Sequence, residues 1–144
     1  IWWTGGRYAY ASALLDGYLD HIFMVIDMAD VTKPKEVGRW HIPGMHIAAG
    51  EAPDWKGRYA LHHAVVEDDI AYGSWRDGGL TILDVKDKSA PKLISHRTWS
   101  PPFGGGTHSA LPNFTLSITS RTTSGTLGPR STRSPTKTSL RPAG

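Results

Sequence analysis

Two stretches of the chain carry nearly the same phrase, and this repetition constrains the fold more than any other feature. Residues 23–37 read FMVIDMADVTKPKEV, and residues 80–94 read LTILDVKDKSAPKLI. At an offset of 57 residues the apolar runs coincide, and so do four further pairs of positions: Asp27 with Asp84, Asp30 with Asp87, Pro34 with Pro91 and Lys35 with Lys92. A period of this size is typical of propellers and solenoids, which are built from repeated supersecondary units.

Matches on either side of these stretches extend the repetition. RYAYAS at residues 7–12 resembles DIAYGS at 69–74 at an offset of 62, so the first copy has five extra residues in the loop at 14–20. HHAVV at residues 62–66 resembles THSAL at 107–111 at an offset of 45. The second match predicts that a third copy begins near residue 107.

Each copy has the pattern of four short strands. In the second copy we predict strands over residues 60–67, 70–75, 80–84 and 92–96. Glycine-rich and aspartate-rich turns separate them, and the Asp side chains are expected to bond backbone amides within those turns. Pro91 opens the last strand, where its missing N–H does least damage at an outer edge. The predicted fold is all-β, a partial β-propeller of about two four-stranded antiparallel blades.

The combination of an A-Y-x-[S/A] segment, a G-[L/x]-x-[I/V]-[I/L]-D-V-x-D segment and a following proline resembles the LVIVD-repeat family of β-propellers. SWRDGG and SPPFGGGTH resemble a longer subgroup of that family. The resemblance covers residues 7–112 and implies a cyclic protein of several hundred residues, of which this chain would be a truncated fragment. It also allows a secreted or cell-surface location, and it supplies no settled activity.

The amino-acid composition excludes several kinds of site and structure. The chain has no Cys, which excludes disulfides and thiolate metal sites. No apolar run reaches the 18 residues that a membrane helix needs. The net charge of +3 is unevenly distributed, because all 13 acidic residues precede residue 88 and five of the 16 basic residues lie in 113–144. Residues 1–112 therefore carry a net charge of −2, and the basic character belongs to the C-terminal segment.

Residues 113–144 depart abruptly from the repeat pattern, with 14 Ser or Thr among 32 residues and no acid. This composition predicts disorder. One interpretation is a genuine basic tail, which would bind polyanions such as nucleic acid only non-specifically. The other is an altered reading frame, and we favour it because pattern and composition change together at one position. We accordingly divide the chain into a propeller-like region, 1–112, and this segment, 113–144.

Two histidines occupy the same repeat position, His63 and His108. We predict that each begins a strand lining a central channel, where imidazoles can bind a transition-metal ion such as Zn, Cu, Fe or Ni. His62 is a weaker candidate, because side chains alternate along a strand and it is expected to face the other side. The alternative is that these imidazoles bond neighbouring backbone carbonyls or water.

Other positions are candidates for ligand contacts. Trp75 and Arg76 stand at a predicted strand end, where the planar guanidinium can bind a carboxylate or phosphate. The alternative is a packing Trp beside a solvated turn. His46 and Glu51 lie in a longer irregular segment, 41–55, and are secondary candidates at the channel mouth. The GGG at 104–106 lacks the spacing of a phosphate-binding loop and predicts a flexible connection.

Two classes of function follow. The first is a binding or scaffold propeller that presents loops to a small molecule or a protein partner. The second is a metal-dependent enzyme, a hydrolase or an oxidoreductase, with a histidine-lined channel. The sequence contains no G-x-S-x-G elbow and no H-E-x-x-H motif, so neither a serine-hydrolase nor a zincin mechanism is indicated.

Overall fold

Two antiparallel β-sheets make up the part of the chain that the structure describes. The computed structural model describes residues 1–112. Its seven strands are β1 (Tyr8–Ala13), β2 (Ile22–Asp27), β3 (Lys35–Trp40), β4 (Tyr59–Glu67), β5 (Ile70–Arg76), β6 (Leu80–Asp84) and β7 (Lys92–Arg97). One 3₁₀ turn, Ile47–Ala49, is the only helical element in this range. The all-β prediction is confirmed, and the four strands predicted for the second copy are confirmed to within one residue. The predictions for 113–144 lie outside the described residues.

Each strand pairs with its neighbour in sequence. The first sheet has the order β1-β2-β3 and the second the order β4-β5-β6-β7, with every pairing antiparallel. Trp2 pairs with Tyr10 and exchanges both backbone hydrogen bonds with it, at 2.7 and 2.9 Å. Trp2 thus lies beside β1, on the side away from β2. In the second sheet β4 has the equivalent position, beside β5 on the side away from β6.

Aspartate side chains organise equivalent turns in the two sheets. In each case a carboxylate oxygen accepts the backbone N–H two residues later, at 2.9–3.0 Å. Such a contact stabilises a turn without requiring regular structure. The four contacts are Asp27–Ala29, Asp30–Thr32, Asp84–Lys86 and Asp87–Ser89. The expectation that Asp27 and Asp84 form turns is confirmed.

A register irregularity also recurs at equivalent positions. The β2–β3 ladder shifts between Val25 and Ile26, and the β6–β7 ladder shifts between Ile82 and Leu83. Both positions are related by the same 57-residue offset as the sequence phrases. A bulge bends its strand and increases the local twist, so the outer hairpins of the two sheets are bent at the same place.

The apolar faces of the strands form one core, and its largest completely buried side chains are Trp75, Phe23, Ile22, Met45, Leu61 and Leu83. The indole N–H of Trp75 donates to the hydroxyl of Thr81 at 2.7 Å, which satisfies both buried polar groups. Gly38 of β3 lies directly against the backbone of Lys88 and Ser89, with no room for a Cβ atom. This close approach joins the edge of the first sheet to the turn before β7.

Candidate metal centre

The first half of β4 contains a bulge that positions two candidate ligands. Tyr59 pairs with Arg76 and His63 pairs with Ser74, so residues 60–62 of β4 stand opposite a single residue of β5. Extra residues in a bulge do not pair with the neighbouring strand, and their side chains point in other directions than those of a regular strand.

Backbone groups freed by this bulge are satisfied by the first sheet. The N–H of Leu61 donates to the carbonyl of His21 at 2.9 Å. The carbonyl of Leu61 accepts the hydroxyl of Ser12 at 2.7 Å. Because buried backbone groups are costly to leave unpaired, these two contacts hold the bulge in place and attach β4 to the first sheet.

The bulge also breaks the alternation of side chains. Ala60 and Leu61 are both buried, His62 and His63 both turn towards the surface, and Ala64 is buried again. The expectation that His62 faces the opposite side from His63 is therefore wrong, because alternation holds only for a regular strand. The paired pattern AL-HH-AV in the sequence is the signal that could have indicated the bulge.

The chain after β7 returns to bring His108 to the same place. Thr107 exchanges two backbone hydrogen bonds with Arg76, at 2.9 and 3.2 Å. Gly105, two residues earlier, lies against the Asp77 side chain with no space for a Cβ atom, so this glycine permits a close contact. His108 follows the isolated bridge and does not begin a strand, since residues 108–112 have no ladder within the described range. His63 is the fifth of the nine residues of β4. The prediction that each of these two histidines begins a strand was therefore wrong.

The three imidazoles lie within contact of one another. Ring centroids are 3.8 Å apart for His62 and His108, 4.4 Å for His62 and His63, and 5.2 Å for His63 and His108. The Nδ1 atoms of His62 and His63 are 2.7 Å apart, and both face the carbonyl oxygen of His108, at 3.2 and 3.3 Å. The structure thus brings together all three histidines, although His62 was the weaker sequence candidate.

The two Nδ1 atoms and the carbonyl oxygen of His108 form a close triangle of polar atoms. A carbonyl only accepts, and each neutral imidazole has one N–H and one lone pair. Burial lowers the pKa of His62 below its ordinary value, and the positive charge of Arg76 lowers it further. The lowered pKa favours the neutral form of His62, which is the form that binds metals.

The donor set fits a transition-metal ion. One nitrogen from each ring lies within 4.8 Å of the other two. Zinc–nitrogen bonds of about 2.0–2.1 Å in a tetrahedral arrangement place ligand nitrogens about 3.4 Å apart. The one nitrogen–nitrogen separation between His62 and His63, 2.7 Å for their Nδ1 atoms, is shorter than this value, and the nitrogens that the three rings can offer lie within 4.8 Å of one another. Three imidazoles with an open fourth position are typical of catalytic zinc sites.

Trp75 and Arg76 have different environments. Trp75 is completely buried, with its ring edge against Trp40 at 5.5 Å between centroids. Its position is that of a packing residue and offers no surface to a ligand. Arg76 is half-buried and borders a cleft of about 300 Å³ that it shares with His62 and His21.

A second group of candidate ligands lies in the loop after β3. His41, His46 and Glu51 each offer a ligand atom within 4.8 Å of the others. Glu51 accepts the backbone N–H groups of Gly44 and His46 at 2.7 and 3.1 Å, and contacts the His41 Nε2 at 3.2 Å. These contacts lower the pKa of Glu51 to about 2, and the hydrogen bond from the His46 amide has the largest effect.

Glu51 is thus engaged in holding its own loop. The ring of His46 stacks on Tyr18 at 4.2 Å between centroids, and His41 meets the edge of the same ring. Sequence reasoning selected His46 and Glu51 but missed His41, since nothing local indicates that it turns towards Glu51. We regard this group as a loop-stabilising cluster.

Comparison with protein-family models, with curated proteins and with solved structures finds no match to this chain. Within residues 1–112, no helix has the length and apolar character needed to cross a membrane. The site must therefore be interpreted from its own geometry.

Proposed function

We propose that residues 1–112 belong to an LVIVD-type β-propeller and that each sheet is part of one blade. The equivalent aspartate turns and the bulges at matching positions support a structural repeat. The four-stranded antiparallel order of the second sheet is that of a propeller blade. In the first sheet Trp2 pairs with β1, as β4 pairs with β5 in the second sheet. This pairing supports the same four-stranded arrangement for the first sheet.

The buried hydroxyl of Ser74, which has no hydrogen-bond partner among residues 1–112, further supports the packing of successive blades. Ser12 donates to the carbonyl of Leu61 and so joins the first sheet to the second. Its counterpart at the 62-residue offset, Ser74, is completely buried, and its hydroxyl has no hydrogen-bond partner among residues 1–112. Buried polar groups are normally paired. In the proposed propeller, Ser74 would bond a strand of a following blade as Ser12 bonds Leu61.

The function that the site supports best is the binding of a transition-metal ion by His62, His63 and His108. The observation that carries this proposal is the convergence of three imidazole nitrogens within 4.8 Å. The lowered pKa of His62, which favours its neutral form, adds to it. The ligand type favours Zn, Cu, Ni or Fe over Mg or Ca, which prefer oxygen donors.

A metal-dependent enzyme, a hydrolase or an oxidoreductase, is the class of activity that such a site can serve. A bound zinc ion would act as a Lewis acid and lower the pKa of a water molecule to about 7. The chain's own contribution is to orient the ligands. The β4 bulge fixes His62 and His63, and the bridge from Thr107 to Arg76 fixes His108.

A metal-free binding or scaffold module for a small molecule or a protein is the second candidate. Both Nδ1 atoms face the carbonyl oxygen of His108, and this favours a structural hydrogen-bond network. The two candidates differ in one respect: only the metal site requires all three rings to contribute a nitrogen to the same ion.

Calorimetric titration of the full chain with Zn²⁺ at pH 7.5 tests the proposal. We expect one high-affinity ion per chain. Replacing either His63 or His108 with Gln should weaken binding by at least about tenfold, since even outer-shell partners of metals are worth about 10–100-fold. His96→Gln is the matched control, because its imidazole contacts the Gly78 carbonyl and lies in neither histidine group.

Equal affinity in all variants, or equal loss in His96→Gln, would contradict the metal site and leave the scaffold function as the better account. Circular dichroism of each variant establishes that the sheets are intact. Loss of zinc binding in His41→Gln alone would assign the ion to the loop cluster instead.

A further inference from the structure

A polar cleft of about 300 Å³ lies directly beside the three histidines. Its polar lining consists of Ser12, His21, Arg58, His62 and Arg76. His62 belongs both to the cleft and to the candidate metal centre. No carboxylate lines the cleft, whereas two guanidinium groups do, so its electrostatic character is cationic.

The two arginines differ in how their charge is compensated. Arg58 donates to both carboxylate oxygens of Asp20, at 2.7 and 3.2 Å. Arg76 takes part in none of the ion pairs within residues 1–112. It is half-buried, and its backbone has a φ of 49°, a left-handed conformation that few residues other than glycine adopt. A partly desolvated guanidinium without a counter-ion is complementary to an oxyanion.

Asp20 holds two of the side chains that line the cleft, those of His21 and Arg58. Besides Arg58, it accepts the backbone N–H and the Nδ1 of His21, at 2.8 and 2.7 Å. An ionised carboxylate only accepts, so Nδ1 of His21 carries a hydrogen. The orientation of His21 and of Arg58 is thus determined before any ligand arrives. Preorganisation of this kind favours binding.

We propose that this cleft binds a small oxyanion, a carboxylate or a phosphate group, through Arg76 with Arg58 at its side. The planar fork of a guanidinium matches both kinds of group. The ligand would lie next to the candidate metal centre. The position of the ligand relative to a metal ion is the one part of this proposal that rests on the proposed function. The anion site itself is formed by protein side chains and is expected to work without a metal.

The test is an NMR shift titration of metal-free full-length chain with sodium phosphate and, separately, with sodium acetate, at constant ionic strength. We expect saturable shifts for at least one anion, centred on His21, Leu61 and Arg76. Arg76→Asn should weaken binding by about tenfold or more, since hydrogen bonds to charged groups are among the strongest in proteins. Asn is chosen because it tolerates the left-handed backbone.

Arg97→Asn is the matched control and should change the dissociation constant less than about twofold. Arg97 is exposed at the end of β7, has no ion pair within residues 1–112 and does not line the cleft. Arg76→Lys keeps the charge without the fork and should retain more affinity than Arg76→Asn.

Tighter binding of acetate would identify a carboxylate ligand, and tighter binding of phosphate a phosphorylated one. Shifts that grow linearly with either anion, or an equal loss in the Arg76 and Arg97 variants, would overturn the proposal. Because the titration uses metal-free protein, failure of zinc binding leaves its outcome unchanged, and absence of an anion site leaves the zinc titration unchanged.

Discussion

The hydrogen bond between Trp75 and Thr81 gives a sharp test of the packing that supports the site. Both residues are completely buried, and the indole N–H donates to the hydroxyl at 2.7 Å. Thr81→Val replaces the hydroxyl with a methyl group of similar size and leaves the indole N–H without an acceptor. An unpaired buried donor costs about 1–3 kcal/mol. For a domain of this size each kcal/mol lowers the melting temperature by about 4–8 °C.

The measurement is urea unfolding of the full chain followed by near-ultraviolet circular dichroism. Thr4→Val, at an exposed threonine, is the control and should stay within about 0.5 kcal/mol of wild type. Trp75→Phe should also destabilise the chain. Because the two residues share one hydrogen bond, the double variant should cost less than the sum of the single ones by about 1 kcal/mol. A Thr81→Val variant as stable as the control would refute this reasoning and reopen a ligand role for Trp75.

Further predictions concern the loop cluster and the contact between the sheets. The lowered pKa of Glu51, from 4.5 to about 2, means that its contribution to stability is present above about pH 4.5 and is lost as the pH falls towards 2. Glu51→Gln should therefore flatten the pH dependence of the stability across this range, measured by thermal melts at each pH. An unchanged profile would contradict the hydrogen bonds that Glu51 accepts, that of the His46 amide first and that with His41 second. Gly38→Ala should destabilise the chain by about 1–3 kcal/mol, because the added methyl group would meet the Lys88 carbonyl. Gly104→Ala, which has open space around it, should be neutral in the same urea titration, and equal effects in both would contradict the close approach.

The strands and turns could be predicted from the sequence because their determinants are local. The Asp residues of the repeated phrase bond amides only two residues away, and the glycines and prolines mark the ends of the strands. The apolar runs and turn residues of the second copy placed its four strands to within one residue. The repeat period and the turn-forming residues were sufficient to predict the strands and the turns between them.

The geometry of the site depends on contacts between distant residues, and the sequence could not supply it. The position of His62 follows from a bulge that Ser12 and His21 hold in place, and these residues are 49 and 40 positions from Leu61 in the sequence. The anchoring of Arg58 by Asp20 spans 38 positions. The sequence prediction applied the alternation of a regular strand, and the bulge overrides it; the paired pattern AL-HH-AV was the one local signal of that bulge.

The most direct test of the metal centre is long-range ¹H–¹⁵N NMR of the histidine side chains before and after one equivalent of Zn²⁺. The spectrum assigns the protonation and coordination of each ring nitrogen. We predict that one nitrogen in each of His62, His63 and His108 acquires the shift of a zinc-bound nitrogen, while His96 is unchanged. Coordination shifts confined to His41 and His46, or no coordination shift in any ring, would contradict the account.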